Sequence, residues 1–498
     1  MTSETPSPDA GRRNRAWLAL GLVIFGFAFL GSRGLLEPDE GRYTNVAAQM
    51  LRSGDYLVPA LNEDTPHYTK PPLTYWAIAG STKLLGHTPW AARLPNGLAW
   101  LATVLIVAAL ARRLGAASPA TAGGVYATLL LPYLGASIVT TDTLLAAFEA
   151  LAVLGVVALW RTPSWGARLT LGAGLGLAFL TKGPVGLLPL LPAALAFAWL
   201  GEARQIRRWL HPGVLLPFLA IGGSWFAWLA AAQPDVLEAL LRNEIYGRVV
   251  EGRFDRHPEW FGTLRIYGPA FLFGTLPWSP LVLAQPRALL APFRGAFWRE
   301  LRERDADGLF LWLWLLVPLL ILALVRSRLP LYLLPSFVPA ALLLARRIEA
   351  STLLREPARA LLATWVVVLI AARAIAAALP LEASSHVLEF GFREHLGFKP
   401  ERVVFVDETP SWGIGYTFQA VVEGATLFDT EDPYPPIEDI LPKPASKRIF
   451  VVARGSERRF RRRAAVAGFG VRRLGSWDHS VYLEASRDIP TEWGPSVP

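Results

Sequence analysis

The chain is 498 residues long, 53% hydrophobic and only 18% charged, against roughly a quarter charged in a soluble domain. Its mean hydropathy is +0.34, and apolar runs near membrane-spanning length recur from Trp17 to Pro380, which excludes a soluble protein built on one core. With no cysteine there are no disulfides, thiolate nucleophiles or cysteine metal sites, and the net charge of +9 sits mostly beside the apolar runs, where it reads as topology and headgroup contact and not as nucleic-acid binding.

Residues 1–15 read as a polar cytoplasmic tail whose Arg12, Arg13 and Arg15 precede the apolar run Ala16–Leu30. That run carries no small-x-small cleavage signal and many spans follow, so it reads as an uncleaved signal-anchor. Residues 16–380 then form an all-α polytopic membrane bundle of about eleven helices. The expected spans lie near 16–34, 90–111, 119–137, 140–160, 167–182, 184–200, 211–232, 263–285, 308–325, 329–345 and 359–380. Arginine clusters at 12–15, 112–113, 161–168, 204–208, 287–304 and 346–359 fall in alternate loops, which are cytoplasmic by the positive-inside rule. The opposite, extracytoplasmic side receives a loop at 35–89, a loop at about 233–262 and everything after residue 381.

The loop 35–89 opens on Glu37-Pro38-Asp39-Glu40, followed by Gly41-Arg42-Tyr43. Acids at the edge of lipid bind a cation, cap a helix or move protons. Tyr43, Val46, Ala47, Met50 and Leu51 have helical spacing; Asp39 is placed to cap that helix and Gly54 to end it. Lys70-Pro71-Pro72 precedes a second apolar helix, Leu73–Leu85, with proline near its first turn. Both helices read as interfacial, covering a cavity in which acids and a lysine meet a lipid-borne phosphate.

Later polar residues cluster at span ends on the same side. They are Thr140-Thr141-Asp142, Thr181-Lys182-Gly183-Pro184, the turn Arg326-Ser327-Arg328-Leu329-Pro330-Leu331-Tyr332, and Asn243, Glu244, Tyr246, Arg248, Arg253 and His257 in the loop 233–262. Each has an ordinary reading beside a functional one. Asp39 and Asp142 suit helix starts, Lys70 and Lys182 suit interfacial anchors, Arg248 suits a solvated loop, and Arg326, Arg328 and Tyr332 suit headgroup and interface contacts. His257 and His479 read as surface residues without metal-ligand spacing. Arg373, inside the last span, has no evident reason to be there. Residues 381–498 read as a small extracytoplasmic α/β domain. Its expected strands are Arg402–Val406, Arg448–Val452, Val471–Ser476 and Ser480–Glu484, the last two paired around Asp478-His479, with a helix over Ser456–Gly468. No internal repeat is evident, which weighs against an inverted-repeat transporter.

Several segments, in order over about residues 12–380, resemble the bacterial polytopic glycosyltransferases of the GT-C fold. They are Pro38-Asp39-Glu40 with Arg42-Tyr43, Ser53-Gly54-Asp55 with Val58-Pro59, Lys70-Pro71-Pro72, Thr181-Lys182-Gly183, Leu276-Pro277-Trp278-Ser279, and Ser327-Arg328-Leu329-Pro330-Leu331-Tyr332-Leu333-Leu334-Pro335. Within that group the chain is similar to the lipid A aminoarabinose transferases and the protein O-mannosyltransferase-like enzymes. The resemblance implies a polyprenyl-phosphate sugar donor and transfer to a lipid, glycan or protein hydroxyl on the periplasmic face of the bacterial inner membrane. It makes Asp39 the catalytic aspartate and Lys70 and Arg248 the donor-phosphate residues. Glu40 is then its supporting carboxylate, Arg328 a third phosphate candidate, and Arg42, Tyr43, Asp142 and Tyr332 position substrate. Thr69 and Asn243 stand where the family has Glu and His, residues that help bind a metal; no metal ligand is assigned here, and the change argues against aminoarabinose as the sugar. The rival classes are a polyprenyl-linked lipid flippase or transporter, which needs a polar path at mid-membrane, and a non-catalytic scaffold displaying the C-terminal domain.

Overall fold

The structure, a computed structural model, describes residues 8–241, 259, 261–284, 290–378, 385–427, 436, 441, 448–477 and 479–491. The chain divides into two compact units. The first comprises Met1–Leu30, Tyr68–Thr74 and Arg93–Ala374, and the second Gly31–His67, Tyr75–Ala92 and Ile375–Pro498.

The first unit is helical. Among the described residues six helices are long and apolar enough to cross a membrane: Pro89–Arg113, Thr141–Arg161, Pro212–Ala232, Ala306–Leu324, Pro330–Ala350 and Ala360–Ala378. A seventh is added if Trp165–Leu187 and Leu190–Trp199, bent by 54°, form one span. The expectation of about eleven counted segments that are broken in the structure. The run at 119–137 becomes Pro119–Thr128 and Leu130–Gly135, parted at Leu129, whose φ of −60° and ψ of 127° are extended. The run at 263–285 becomes the π-helix Thr263–Tyr267, then Gly268–Gly274 and Ser279–Leu283. Such breaks are tolerated at membrane depth where protein groups satisfy the freed backbone; the Leu130 N–H donates to the Leu276 carbonyl at 3.1 Å.

Helices Thr141–Arg161 and Trp165–Lys182 form an antiparallel hairpin. Lipid supplies no hydrophobic drive between spans, so close approach rests on small residues. A Cβ on Gly155 would collide with the backbone of Leu171, and one on Gly174 with the backbone of Ala152. These two contacts fix the register, since 155 opposite 171 and 152 opposite 174 carry the start of one helix to the end of the other. Gly172 and Gly176 take up the far side, against Val214 and against Ile221 and Gly222.

Arg373 finds its explanation here. The helix Pro8–Phe27 stops short of the expected 16–34 span, and Phe29 follows with a φ of +58°. Helix ends leave carbonyls without intrahelical donors. Arg373 Nη1 donates to the Gly26 carbonyl at 2.8 Å and to that of Ala28 at 3.3 Å, and Nη2 donates to Tyr133 O at 2.9 Å. Its guanidinium lies 3.8 Å from the centroid of the Tyr133 ring. A buried arginine thus caps the end of the helix Pro8–Phe27.

The second unit joins the first external loop to the C-terminal domain. The loop holds the helix Asp39–Ser53, two short strands, β1 (Ala60–Asn62) and β2 (Thr65–Pro66), and most of the helix Leu73–Leu85. Val46, Ala47 and Met50 are buried, as their spacing predicts. Gly54 closes the helix with a φ of 72°, its N–H bonded to Met50 O. The domain carries β3 (Arg402–Val406), β4 (Val421–Ala425), β5 (Arg448–Ala453), β6 (Gly470–Trp477) and β7 (Ser480–Ser486) in the order β4-β3-β5-β7-β6. The β3/β4 and β3/β5 pairs are parallel, and β5/β7 and β6/β7 antiparallel. Runs such as Val403–Val406 and Ile449–Val452 are buried on both faces, the pattern of a covered parallel sheet. One face packs on Phe460 and Ala464 of the helix Glu457–Val466. The other packs on Phe392 and Trp412 from the helices Ser385–His395 and Trp412–Phe418. Ser456 does not cap its helix; its hydroxyl donates to Asp407 Oδ2 at 3.0 Å.

The cap predicts the cost of losing it. Arg373→Met strands two helix-end carbonyls inside the bundle and lowers stability by about 2–3 kcal/mol, read as a lower melting temperature in nanodiscs. An unchanged melting temperature would show that the guanidinium does not hold the first helix end.

Candidate active site

The three acids of the 37–40 segment have different surroundings. Glu37 is half-buried in the second unit, where Oε1 accepts from the Ser411 hydroxyl at 2.8 Å and from the Gly413 N–H at 2.6 Å. Burial pushes its carboxyl up to about 7, against the lowering effect of those hydrogen bonds and with a further push from Glu40. Glu40 is 1% exposed. Its Oε2 accepts from Arg33 Nη1 at 2.7 Å and from the Leu36 N–H at 2.8 Å, so it holds the chain entering the helix. Asp39 points outward. The first helical residue is Asp39 itself, preceded by Pro38 with no side-chain cap, so Asp39 does not serve as the cap its position suggests. Its side chain is 54% exposed and paired at 2.5 Å with Arg42 one turn on. Tyr43 packs its ring 5.7 Å from that of Tyr75.

The basic residues belong to the first unit. Lys70 precedes the helix Leu73–Leu85 and donates to the Thr69 carbonyl at 2.8 Å; beside it the Tyr68 hydroxyl donates to Gln233 Oε1 at 2.6 Å. Arg328 is 5% exposed, with Nη1 and Nη2 turned to the carbonyls of Glu259 and Ala323. Arg248 and Asn243 lie outside the described residues, as do Glu244, Tyr246, Arg253 and His257.

Asp142 and Tyr332 meet through Lys182, whose place at a span end suits an interfacial anchor. Thr140, not Asp142, caps the helix Thr141–Arg161, its hydroxyl oxygen accepting from the Asp142 N–H at 3.2 Å. The freed Asp142 carboxylate accepts from the Thr140 hydroxyl at 3.0 Å and pairs with Lys182. Lys182 Nζ also lies 4.1 Å from the centroid of the Tyr332 ring. The glycine register described above carries residue 142 to about residue 184, within reach of the Lys182 side chain. Glu149, two turns further along the helix, is 3% exposed, and its Oε1 has no hydrogen-bond partner. Its signal was available in the sequence as a lone acid inside an apolar run, the kind of residue that marks function in membranes. Among the described residues no three His, Cys, Asp or Glu side chains stand close enough together to hold a metal ion.

Comparison with known proteins gives two kinds of match. Residues 69–228 match the family model described as dolichyl-phosphate-mannose-protein mannosyltransferase, a stretch that contains Lys70, Asp142 and Lys182. Among curated relatives, an undecaprenyl phosphate-alpha-4-amino-4-deoxy-L-arabinose arabinosyl transferase of Sodalis glossinidius is 32% identical over 334 residues, 65% of this chain and 58% of that protein. The namesake from Pseudomonas aeruginosa is 32% identical over 67% of this chain and 59% of its own length. The chain thus spans less than two thirds of the length of these relatives in sequence. In structure the match runs nearly end to end. The crystal structure of ArnT from Cupriavidus metallidurans bound to undecaprenyl phosphate superposes with a TM-score of 0.73 at 19% identity, covering 97% of this chain and 99% of that one. Its apo form gives 0.75 at 18% identity.

Two outcomes follow from the site's electrostatics. Removing one partner of a buried pair costs about 3–5 kcal/mol, whereas removing both is far cheaper; Lys182→Met therefore melts well below wild type, and Lys182→Met/Asp142→Asn recovers most of the loss. Equal melting of single and double variants would deny the pair its structural part. For Glu37 the folded carboxyl binds its proton more tightly than the unfolded one, so its contribution is complete below about pH 4.5 and is lost as pH rises through about 7. Amide exchange at 411–418 accordingly speeds up between pH 5 and pH 8 beyond the intrinsic rate, on the order of one to two pH units either side of that value, and Glu37→Gln flattens the rise. A pH-independent opening would overturn the assignment. The chain therefore shares the fold of ArnT over nearly its whole length and is similar in sequence to the aminoarabinose transferases over about two thirds of itself.

Proposed function

We propose that the protein is a membrane glycosyltransferase that moves a sugar from a polyprenyl-phosphate donor to a hydroxyl of a lipid, glycan or protein acceptor on the periplasmic face. The observation that carries this reading is the division among the acids. Glu37, half-buried, and Glu40, 1% exposed, are bonded into the fold, while Asp39 presents its carboxylate outward at the head of the helix Asp39–Ser53. The names of the relatives, which specify an undecaprenyl phosphate-linked sugar, support the donor class.

In this reading Asp39 takes the proton of the acceptor hydroxyl, and the oxygen attacks the anomeric carbon opposite the phosphate. The bond from that carbon to the phosphate oxygen breaks, and polyprenyl phosphate leaves with the electron pair, so the configuration inverts. General-base help of this kind contributes roughly 10²–10⁴-fold. Lys70, Arg248 and Arg328 neutralise the departing phosphate in surroundings partly closed to water. Arg42 orients the Asp39 carboxylate, Glu40 fixes the backbone beneath it, and Tyr43 braces the helix. Asp142, with Lys182 and Tyr332, offers hydroxyl-binding groups for sugar or acceptor.

A vesicle assay with labelled polyprenyl-phosphate sugars, aminoarabinose and hexoses among them, tests this reading. Asp39→Asn lowers transfer by at least about 10²-fold while donor binding persists, and Lys70→Met weakens donor binding. Full transfer by Asp39→Asn removes the base assignment. Movement of donor lipid across the bilayer without sugar transfer replaces the transferase with a flippase.

A further inference from the structure

At the far end of the helix hairpin from Asp142 lies a pocket of about 320 Å³ that the proposed reaction does not use. Its lining includes Leu159 and Pro163, so along the helix Thr141–Arg161 it stands roughly 25 Å from Asp142, at 1.5 Å per residue. By the positive-inside rule this is the cytoplasmic side, since Arg161, Arg168, Arg204, Arg207 and Arg208 cluster there.

Every polar side chain lining the pocket is a hydrogen-bond donor. Arg168, Arg207 and Arg208 contribute guanidinium groups, which have no acceptor. His211 Nδ1 accepts from the Gly213 N–H at 2.9 Å, so the neutral ring carries its proton on Nε2 and offers that as a donor. The groups are held in place. Arg208 Nη1 donates to the Leu159 carbonyl at 2.7 Å. Arg168 lies 5.1 Å from the centroid of the Trp165 ring, whose edge meets His211. No lining residue is acidic, and neighbouring carboxylates are engaged elsewhere. Glu202 accepts from Trp160 Nε1 and Gln205 Nε2, and Asp307 pairs with Arg161. A cavity walled by donors and free of carboxylates selects an anion with several acceptor oxygens, and arginine forks match phosphate.

The rim tells what carries the phosphate. Leu159, Pro163 and Leu210 supply the apolar part of the lining. Trp165, Leu210 and Leu216 are each more than 60% exposed, the exposure expected of side chains that face acyl chains in a bilayer. Basic pockets between spans on the cytoplasmic side suit lipid headgroups. We propose that this pocket binds the phosphate headgroup of an anionic phospholipid of the cytoplasmic leaflet, with the acyl chains laid over the exposed leucines.

Native mass spectrometry of the delipidated full chain, titrated with phosphatidylglycerol, phosphatidylcholine or inorganic phosphate, tests the assignment. Phosphatidylglycerol binds in preference to phosphatidylcholine, and Arg168→Gln/Arg207→Gln weakens it on the order of a hundredfold, the loss of two charge-assisted hydrogen bonds to phosphate. Arg204→Gln, exposed and outside the pocket, weakens binding no more than about fivefold, since it removes only general surface charge. If the double variant does not fold, Arg207→Gln alone makes the same comparison. Equal loss in Arg204→Gln, equal binding of the two lipids, or inorganic phosphate binding as tightly as phosphatidylglycerol would each overturn the proposal.

Discussion

Lipid offers no hydrogen bonds, so each interruption of a membrane helix must be satisfied by the protein itself. That constraint accounts for much of the first unit. The helix Pro8–Phe27 stops early because Arg373 receives its last carbonyls. The break at Leu129 is held by the Leu276 carbonyl and by Trp365 Nε1, which donates to Thr128 O at 3.0 Å. Asp142 and Lys182 are brought to one place by glycines that let two helices meet backbone to backbone. Polar groups in this unit therefore sit where helices end or touch.

The second unit obeys a different rule. Its acids are sorted by burial. Glu37 is tied to residues 411–413 and Glu40 to residues 33–36, which leaves Asp39 as the outward member. Further bonds knit the same segment to the sheet domain, with Arg52 donating to Ala420 O at 2.6 Å and Asn62 to Val422 O at 3.4 Å. A loop that periodicity shows to be structured is here part of a domain whose other strands lie more than 300 residues away.

Periodicity made the amphipathic helix at 39–53, the β3, β5, β6 and β7 strands and the two-sided character of the chain legible in the sequence, because those features are local. Three things were not legible. The span count depends on where helices break, and a broken helix is as apolar as a whole one. The importance of Lys182 depends on the register of a hairpin set by Gly155 and Gly174, and nothing local marks those glycines as contact points. Glu37 carried no assigned role because its partners, Ser411 and Gly413, are distant in sequence. The motif order from Pro38 to Pro335 supplied what periodicity could not, a resemblance to GT-C fold enzymes, and the fold match agrees with that fold.

The Arg373 cap has a consequence for biogenesis. Gly26 is made 347 residues before the arginine that receives its carbonyl. At ribosomal speeds of about 5–20 residues per second, the first helix waits on the order of tens of seconds for that partner. Through that interval its open end must be solvated by water, by the insertion machinery or by headgroups. A helix made early is thus among the last parts of this unit to be finished, and a chain interrupted before Arg373 would leave that helix end unsealed.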